Sequence, residues 1–132
     1  MENTNTTGSA KKILLVEDEP FLSGMYQTKL KLEGFDIEAA KDGEEALEKI
    51  KVGEFGLILL DIMMPKLNGF EVLKSIRKDK DPEIAKVPVL MLTNLGQKSD
   101  VEQGLLLGAN DYIIKANFTP AEVVDKINKF LV

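Results

Sequence analysis

Short apolar segments alternate with segments of helical pattern along the chain from residue 11 onward. Two of the apolar segments, 13–16 and 57–60, contain no polar residue, which is typical of central parallel strands buried on both faces. A third, 35–39, alternates in polarity and suits an edge strand. The predicted strands are residues 13–16, 35–39, 57–60, 87–92 and 111–114.

Helix start and stop signals stand between these strands. Pro20 suits the first turn of a helix that Gly34 ends, and Gly108 ends a later one. Four polar residues, each with a Glu three positions later, match the capping-box pattern that begins helices. These pairs are Asp42 with Glu45, Asn68 with Glu71, Ser99 with Glu102, and Thr119 with Glu122. Five strand–helix units in strict alternation predict an α/β fold, a doubly wound parallel sheet with helices on both faces.

The length of 132 residues fits one domain, which we place at residues 11–132. Residues 1–10 are polar and lack periodicity, and we interpret them as a disordered leader or a cloning remnant. The sequence has no run of about eighteen apolar residues and no signal-peptide pattern. We therefore expect a cytoplasmic protein that does not enter membranes.

Charge and missing residue types exclude several classes of function. The formal net charge is −5, so the chain has no electrostatic basis for direct binding to nucleic acid. The absence of cysteine excludes disulfides and thiolate chemistry. The absence of histidine excludes His-ligated metals, Ser-His and Cys-His triads, and a phosphohistidine on this chain. Any bound metal should be a hard cation that prefers oxygen, Mg²⁺ or Ca²⁺.

Acidic residues follow two of the predicted strands. Glu17 and Asp18 come directly after the first, and Asp61 comes after the third. In an open α/β sheet, sites form outside the carboxyl ends of the strands, so the three carboxylates should meet in one crevice. Carboxylates this close repel unless a cation neutralises them, and carboxylate and water ligands favour Mg²⁺. One such residue is unremarkable, but three at adjoining ends indicate a metal site.

A hydroxyl and an amine complete the set of strand-end residues. Thr93 follows the fourth predicted strand, and Lys115 follows the fifth. Lys115 could balance the carboxylates and, later, phosphoryl oxygens, while Thr93 could donate a hydrogen bond to a phosphoryl oxygen. Lys115 could also be a solvated strand end and Thr93 an ordinary turn residue, but the coincidence of four strand ends favours a site.

Several motifs, taken in order, resemble the response-regulator receiver family, which has the CheY-like fold. The matching stretches are 13–19 (ILLVEDE), 60–65 (LDIMMP), 68–69 (NG), 89–93 (VLMLT) and 108–115 (GANDYIIK). Each is weakly specific alone, but together they are very specific because their order and spacing agree from residue 12 to residue 132. The resemblance implies a flavodoxin-like sheet of five strands in the order 2-1-3-4-5, with five helices.

The resemblance also implies a phosphorylation site that contains a metal ion. Asp61 would accept and carry the phosphoryl group. Glu17 and Asp18 would hold Mg²⁺ together with Asp61 and the backbone carbonyl of Met63. The chain would be a signalling switch and not an enzyme, catalysing at most its own phosphorylation and dephosphorylation.

A switch and a set of partners follow from the same resemblance. Thr93 and Lys115 would contact the phosphoryl group, and the movement of Thr93 would let Tyr112, the switch aromatic, rotate toward the core. This would reshape the face made by the fourth helix, fifth strand and fifth helix. The expected partners are a sensor histidine kinase or histidine phosphotransfer protein, a protein target on that face, and a second copy of the chain upon phosphorylation.

Four positions depart from the family pattern. Ala116 follows Lys115, where receivers usually have a proline and often a cis bond; because a cis bond before another residue costs ~3 kcal/mol, we expect trans. Asn94 stands where the family prefers a small residue and could narrow access to the phosphorylation site. Met63 and Leu95 occupy positions that influence hydrolysis of the phosphoryl group. Neither can orient a water molecule, so we expect slow self-dephosphorylation.

Leu105, Leu106 and Leu107 follow one another in the predicted fourth helix and cannot all face the core. Either one of them is simply exposed, which is common, or they provide an apolar contact on the output face.

Three other functions were weighed against the same sequence. A degenerate receiver would bind a protein without phosphorylation; Ala116 and Asn94 favour it mildly, while the complete acid, threonine and lysine set argues against it. A haloacid-dehalogenase hydrolase needs a second acid two residues after the nucleophile, where Met63 stands. A flavodoxin binds phosphate after the first strand, where the acidic residues 17–19 would repel it.

Overall fold

The computed structural model describes residues 12–94, 98–117 and 119–131, so the predicted leader, residues 1–10, lies outside it. The strands are β1 (Lys12–Val16), β2 (Asp36–Ala40), β3 (Leu57–Asp61), β4 (Val89–Thr93) and β5 (Asp111–Ile114). The helices are α1 (Pro20–Leu32), α2 (Gly43–Val52), α3 (Gly69–Arg77), α4 (Pro82–Ala85), α5 (Lys98–Leu106) and α6 (Pro120–Phe130). A 3-10 turn at Lys115–Asn117 follows β5. Over these residues, no helix has both the length and the apolar character needed to cross a membrane.

The strands form one parallel sheet in the order β2-β1-β3-β4-β5, which confirms the predicted fold class and strand order. Both β3 and β4 are buried over their whole length, and β1 is buried except at Lys12. This explains why residues 13–16, 57–60 and 89–92 are apolar at every position rather than at every second one. The carboxyl ends of β1, β3 and β4 therefore lie side by side at one edge of the sheet.

An apolar core on each face of the sheet holds the helices. Along β1, Leu14 and Val16 point into one core and Ile13 and Leu15 into the other, as the two-residue period of a strand requires. The first core packs against α2, α3 and α4, with contacts from the end of α5. The second core packs against α1 and α6. The sheet is thus covered on both faces and open at its edges, where functional groups can reach solvent.

Two predicted capping pairs begin helices as expected. Asp42 accepts a hydrogen bond from the N–H of Glu45 at 2.8 Å at the start of α2. At the start of α3, the side chain of Asn68 accepts from the N–H of Glu71 at 3.0 Å, and the Glu71 carboxylate accepts from the N–H of Asn68 at 3.1 Å. These reciprocal bonds satisfy N–H groups that the helix itself cannot pair.

The other two predicted caps are wrong in detail. Ser99 lies inside α5, which begins at Lys98, so it is not the capping residue. Thr119 does precede α6, but its side chain makes no capping hydrogen bond. Pro120 occupies the first turn of α6, and its fixed backbone angle favours a helix start without a hydroxyl cap.

The predicted number of five helices is also wrong, because α4 is a sixth among the described residues. It is a single turn, and the carboxylate of Asp81 begins it by accepting from the N–H of Glu83 at 2.9 Å. Four residues are too few to show a helical period, so the sequence did not reveal it. The fourth and fifth helices of the sequence analysis are therefore α5 and α6.

Helix α3 approaches the end of β3 very closely at Gly69. A Cβ atom at this position would clash with the carbonyl oxygen of Asp61 and lie 2.9 Å from the Cα atom of Ile62. The N–H of Gly69 donates to the carbonyl oxygen of Ile62 at 3.0 Å. Only glycine fits this approach, because both obstructing groups are backbone.

Gly69→Ala should lower the free energy of unfolding by about 1–3 kcal/mol, since no side-chain rotation can relieve the backbone clash. The control is Gly24→Ala in α1, where an added Cβ meets nothing within 4 Å. Alanine favours the helix there, and the free energy of unfolding should rise by about 0.5–1 kcal/mol. Urea denaturation measures both, and equal changes in the two variants would contradict the close approach.

Candidate functional site

The carboxyl ends of β1 and β3 bring three carboxylates together. Glu17 and Asp18 directly follow β1, and Asp61 is the last residue of β3. Each side chain offers one oxygen atom, and these atoms all lie within 4.8 Å of one another. Glu17 and Asp61 are each only 2% exposed, while Asp18 is more open to solvent. The crevice expected from the sequence therefore exists and is acidic.

Lys115 begins the 3-10 turn after β5 and reaches two of the carboxylates. Its Nζ atom lies 2.9 Å from Glu17 Oε1 and 3.0 Å from Asp61 Oδ1. Burial alone would lower the pKa of Lys115, but hydrogen bonds to Glu17 and Asp61 outweigh it and raise the pKa above its usual value. The amine is therefore a firmly charged ammonium group. The bond from Lys115 to Ala116 is trans, as expected.

The surroundings of Asp61 disfavour the ionised form of its carboxyl group. Removal from water is the main cause that raises the pKa of Asp61 to about 7; the charge of Glu17 adds to this effect, and Lys115 opposes it. Asp61 Oδ1 accepts a hydrogen bond from the N–H of Met63 at 3.3 Å. Within the described part of the chain, Asp61 Oδ2 is buried and has no hydrogen-bond partner. A buried oxygen without a partner is costly, so the site is suited to a group that binds it.

The donor set fits a divalent cation. Glu17, Asp18 and Asp61 supply only oxygen atoms, which hard cations such as Mg²⁺ prefer. The one ammonium of Lys115 balances three carboxylates only in part, and Asp61 Oδ2 is without a hydrogen bond among the described residues. The acidic cluster could therefore hold a metal ion. Met63, whose carbonyl was predicted as a further ligand, follows Asp61 by two residues and has a side chain that is 65% exposed.

Thr93 stands at the rim of the crevice on the side of β4. Asp61 is in register with Leu92, so Thr93 lies one residue farther toward the open edge. Thr93 is 2% exposed, and its hydroxyl donates to the carbonyl oxygen of Asn94 at 3.4 Å. This contact is long, so the hydroxyl is weakly held and available to another acceptor. Asn94 is exposed, and Leu95 lies outside the described residues.

Tyr112 lies in β5, away from the carboxylates. Its side chain is half-buried and packs against the core that holds α2 and α3. The Nζ atom of Lys126, on α6, lies 4.6 Å from the centre of its ring. Lys126 has no recognisable sequence signal, because a lysine in an amphipathic helix does not reveal which group its amine contacts. Strand β4 connects Tyr112 to the crevice. Tyr112 is in register with Met91 of β4, and the same strand ends in Thr93, which is in register with Ile114 of β5.

A cavity of about 730 Å³ lies at the opposite edge of the sheet, where β3 and β4 begin. Gly56 and Pro88, which precede those strands, line it together with Phe130 of α6. None of the predicted site residues reaches it. The chemistry suggested by the strand-end residues therefore belongs to the carboxyl edge and not to this cavity.

Comparison with known proteins agrees with the fold and identifies its family. Residues 13–128 match the response regulator receiver domain family. The transcriptional regulatory protein CpxR homolog of Haemophilus influenzae is 47% identical over 120 residues, which cover 91% of this chain and 50% of that protein. The chain spans about half the length of the curated relatives it matches.

Solved structures show the same fold at higher divergence. The chemotaxis protein CheY4 of Vibrio cholerae has a TM-score of 0.83 and 31% identity, covering 91% of this chain and 98% of that chain. The receiver domain of the sensor histidine kinase PA1611 from Pseudomonas aeruginosa has a TM-score of 0.83 and 29% identity, covering 92% and 97%, and it has a magnesium ion in its active-site cleft. The family match over most of the chain, together with the shared fold, shows that this chain belongs to the response regulator receiver domain family.

Proposed function

We propose that this chain is the phosphoacceptor part of a two-component response regulator and that Asp61 takes a phosphoryl group from a phosphohistidine donor. The observation that carries the proposal is the state of the Asp61 carboxylate. One oxygen lies 3.0 Å from the ammonium of Lys115, and the other is buried without a hydrogen-bond partner among the described residues. Membership in the receiver family supports the same role.

The transfer needs little from the chain beyond position and charge. A carboxylate oxygen of Asp61 attacks phosphorus, a P–O bond forms, and the bond from phosphorus to the donor nitrogen breaks with its electron pair staying on the histidine. Such reactions depend on positioning and on neutralisation of the phosphoryl oxygens. The ammonium of Lys115 and the weakly held hydroxyl of Thr93 are suited to bind the phosphoryl oxygens. The proposed chemistry is confined to the chain's own aspartate, as befits a switch.

Glu17, Asp18 and Asp61 would hold Mg²⁺, with the backbone carbonyl of Met63 as a further ligand. When bound, Mg²⁺ neutralises part of the charge on the transferring phosphoryl group. The all-oxygen donor set supports this choice of metal, as does the magnesium ion in the similar PA1611 receiver. Lys115 contacts two of the same carboxylates, so the amine and the ion would share the neutralisation of the crevice.

The output of the switch would pass through Thr93 and Tyr112. A phosphoryl group on Asp61 adds negative charge and acceptor oxygens, which would draw the Thr93 hydroxyl inward. That movement would leave room for the ring of Tyr112 to turn toward the core and would reshape the face formed by α5, β5 and α6. On α5, Leu106 is 88% exposed and Leu105 is 45% exposed, which suits an apolar contact with a target or a second copy.

We propose the partners from the phosphoryl transfer and from the similar proteins. The donor would be a sensor histidine kinase or a histidine phosphotransfer protein in the cytoplasm. The CpxR homolog is a transcriptional regulator about twice as long as the matched region, so a longer form of this chain could act on transcription through a separate part. The net charge of −5 gives the present chain no role of its own in binding nucleic acid.

A second candidate is a receiver that binds its partner without phosphorylation. Two observations favour it: Ala116 replaces the usual proline after Lys115, and the amide of Asn94 is exposed beside Thr93. Neither removes a group that the transfer needs. The phosphoacceptor function therefore remains the better supported one.

Incubation with acetyl phosphate and Mg²⁺ should add the mass of one phosphoryl group to the intact chain, because Asp61 is the nucleophile. Asp61→Asn should abolish the gain, and so should EDTA. Asp36→Asn, a matched change at an exposed acid on β2, should leave it intact. Intact-mass spectrometry is the measurement.

Labelling that survives in Asp61→Asn would contradict the proposed acceptor. Absence of labelling with acetyl phosphate should be checked with a phosphorylated histidine kinase, since Asn94 could hinder small donors. Failure with both donors, in a folded chain, would favour the phosphorylation-independent receiver.

The metal-free protein should lose stability as pH rises. The pKa of Asp61 is raised to about 7 in the folded state, so the folded chain holds a proton that the unfolded chain has released above about pH 4. The free energy of unfolding should therefore fall between about pH 4 and 7 and then level off. Asp61→Asn has no carboxylate to ionise in this buried position. Its free energy of unfolding at pH 8 should therefore be higher than that of the original sequence by about 1–4 kcal/mol.

Urea denaturation in EDTA at pH 5, 6, 7 and 8 measures the difference between the two proteins. Added Mg²⁺ should stabilise the unmodified chain at pH 8 much more than Asp61→Asn, because the ion binds the folded carboxylates. If the difference in free energy of unfolding between the two proteins stays constant from pH 5 to pH 8, Asp61 is ionised throughout this range and the prediction is wrong.

The phosphoryl group on Asp61 should be lost slowly, because the exposed side chain of Met63 cannot orient an attacking water. Met63→Gln should shorten the half-life by about two- to tenfold, as an amide can hold that water. Leu32→Gln, at another exposed apolar position, serves as the control and should change nothing. Intact mass after removal of the donor follows the loss, and equal half-lives for all three proteins would refute the role of Met63.

A further inference from the structure

The edge strand β5 is held at Tyr112 by two side chains. As an edge strand, β5 has backbone groups that β4 does not pair. The N–H of Tyr112 donates to the carboxylate of Asp111 at 2.8 Å, and its carbonyl oxygen accepts from Nζ of Lys126 at 2.6 Å. Both backbone groups of the proposed switch residue are therefore bonded to side chains that could be changed without altering the sheet itself.

The amine of Lys126 makes two further contacts at the same place. It lies 3.4 Å from Asp111 Oδ1 and 4.6 Å from the centre of the Tyr112 ring. Lys126 belongs to α6, which packs in the core with α1, while the ring packs in the opposite core with α2 and α3. The amine thus passes around the edge of the sheet and connects α6 to the ring on the other face.

The ring contact has room to change. A cavity of about 120 Å³ lies between β5 and α6, lined by Tyr112, Lys126, Val123 and Glu122 among others. Tyr112 and Lys126 therefore both border open space on the α6 side of β5. A contact of this kind can be made or lost without repacking α6.

We propose that Lys126 is a positioning residue that holds the ring of Tyr112 where it lies without a phosphoryl group, and so sets the resting balance of the switch. The inference rests on the proposed phosphoacceptor function. It deepens that function by assigning to α6 a residue that opposes activation.

The three contacts of Lys126 would respond differently to rotation of the ring. The bonds to Asp111 and to the backbone carbonyl of Tyr112 do not depend on where the ring points, whereas the contact with the ring does. A contact present in one state only shifts the balance by its own free energy. For a partly exposed cation over a ring, the shift in population is about two- to fivefold. By linkage, removal of the contact should tighten binding of a phosphoryl analogue by the same factor.

The test uses Lys126→Met and fluorine NMR of protein grown with 3-fluorotyrosine. The chain has two tyrosines and no tryptophan, so two signals are expected, and Tyr112→Phe assigns them. Beryllofluoride, a non-covalent phosphoryl analogue, is titrated in saturating Mg²⁺. In Lys126→Met, the free Tyr112 signal should shift toward its analogue-bound position, and the Kd for beryllofluoride should fall about two- to fivefold.

Two control variants distinguish the loss of the ring contact from a change in net charge and from a general effect on folding. Lys129→Met removes the same charge from an exposed position on the same helix and should change neither the signal nor the Kd. Lys126→Arg keeps a cation beside the ring and should behave like the unmodified chain.

The outcomes are distinct. An unchanged or weaker affinity for beryllofluoride in Lys126→Met would overturn the inference, since a merely structural lysine would weaken binding or leave it alone. An equal gain in Lys129→Met would overturn it as well, because the cause would be net charge. If the unmodified chain binds no beryllofluoride and takes no label from acetyl phosphate, the proposed function itself fails, and this inference fails with it.

Discussion

The ion pair between Lys115 and the buried carboxylates of Glu17 and Asp61 is the interaction on which the rest of the structure depends. Parallel strands end side by side, so any acidic residues at their ends are brought into one poorly hydrated crevice. The ammonium of Lys115, in the turn after β5, compensates that charge from 2.9 Å at Glu17 and 3.0 Å at Asp61. The compensation is incomplete, since the pKa of Asp61 stays raised at about 7. That unmet demand for positive charge makes the crevice a candidate site for a cation.

The surrounding architecture keeps this crevice in position and connects it to the surface. Gly69 lets α3 lie directly against the backbone that carries Asp61, so the proposed nucleophile lies on a strand that is packed against a helix and not on a loop. Strand β4 ends in Thr93 beside the crevice, and β5 carries Tyr112 at the edge of the sheet. A change in charge at Asp61 thus has a short path, through two adjacent strands, to the face made by α5, β5 and α6. Lys126 lies at the end of that path and connects the ring to α6.

Features with a clear periodic or motif signal were predicted well, and short features without such a signal were not. The apolar strands, the strand order, and the caps at Asp42 and Asn68 follow from periodicity, family motifs and short-range hydrogen bonds. The cap expected at Ser99 was wrong because α5 begins at Lys98, which places Ser99 inside the helix. Helix α4 was missed because one turn has no period to read. The roles of all the predicted site residues stay predictions, since geometry alone shows where a residue lies and not what it does; these residues are Glu17, Asp18, Asp61, Met63, Thr93, Tyr112 and Lys115.

The sequence by itself determined the fold class, the family, and the identity of the strand-end residues, because strand burial and strand-end chemistry are written in consecutive positions. Only the tertiary structure decided which of the carboxylates Lys115 contacts and how far it balances their charges. That Lys115 pairs with Glu17 and Asp61 at once, and that Lys126 crosses the sheet edge to the ring of Tyr112, could not be read from spacing. A long flexible side chain takes its partner from the packing of separate elements, and that packing exists only once the chain has folded.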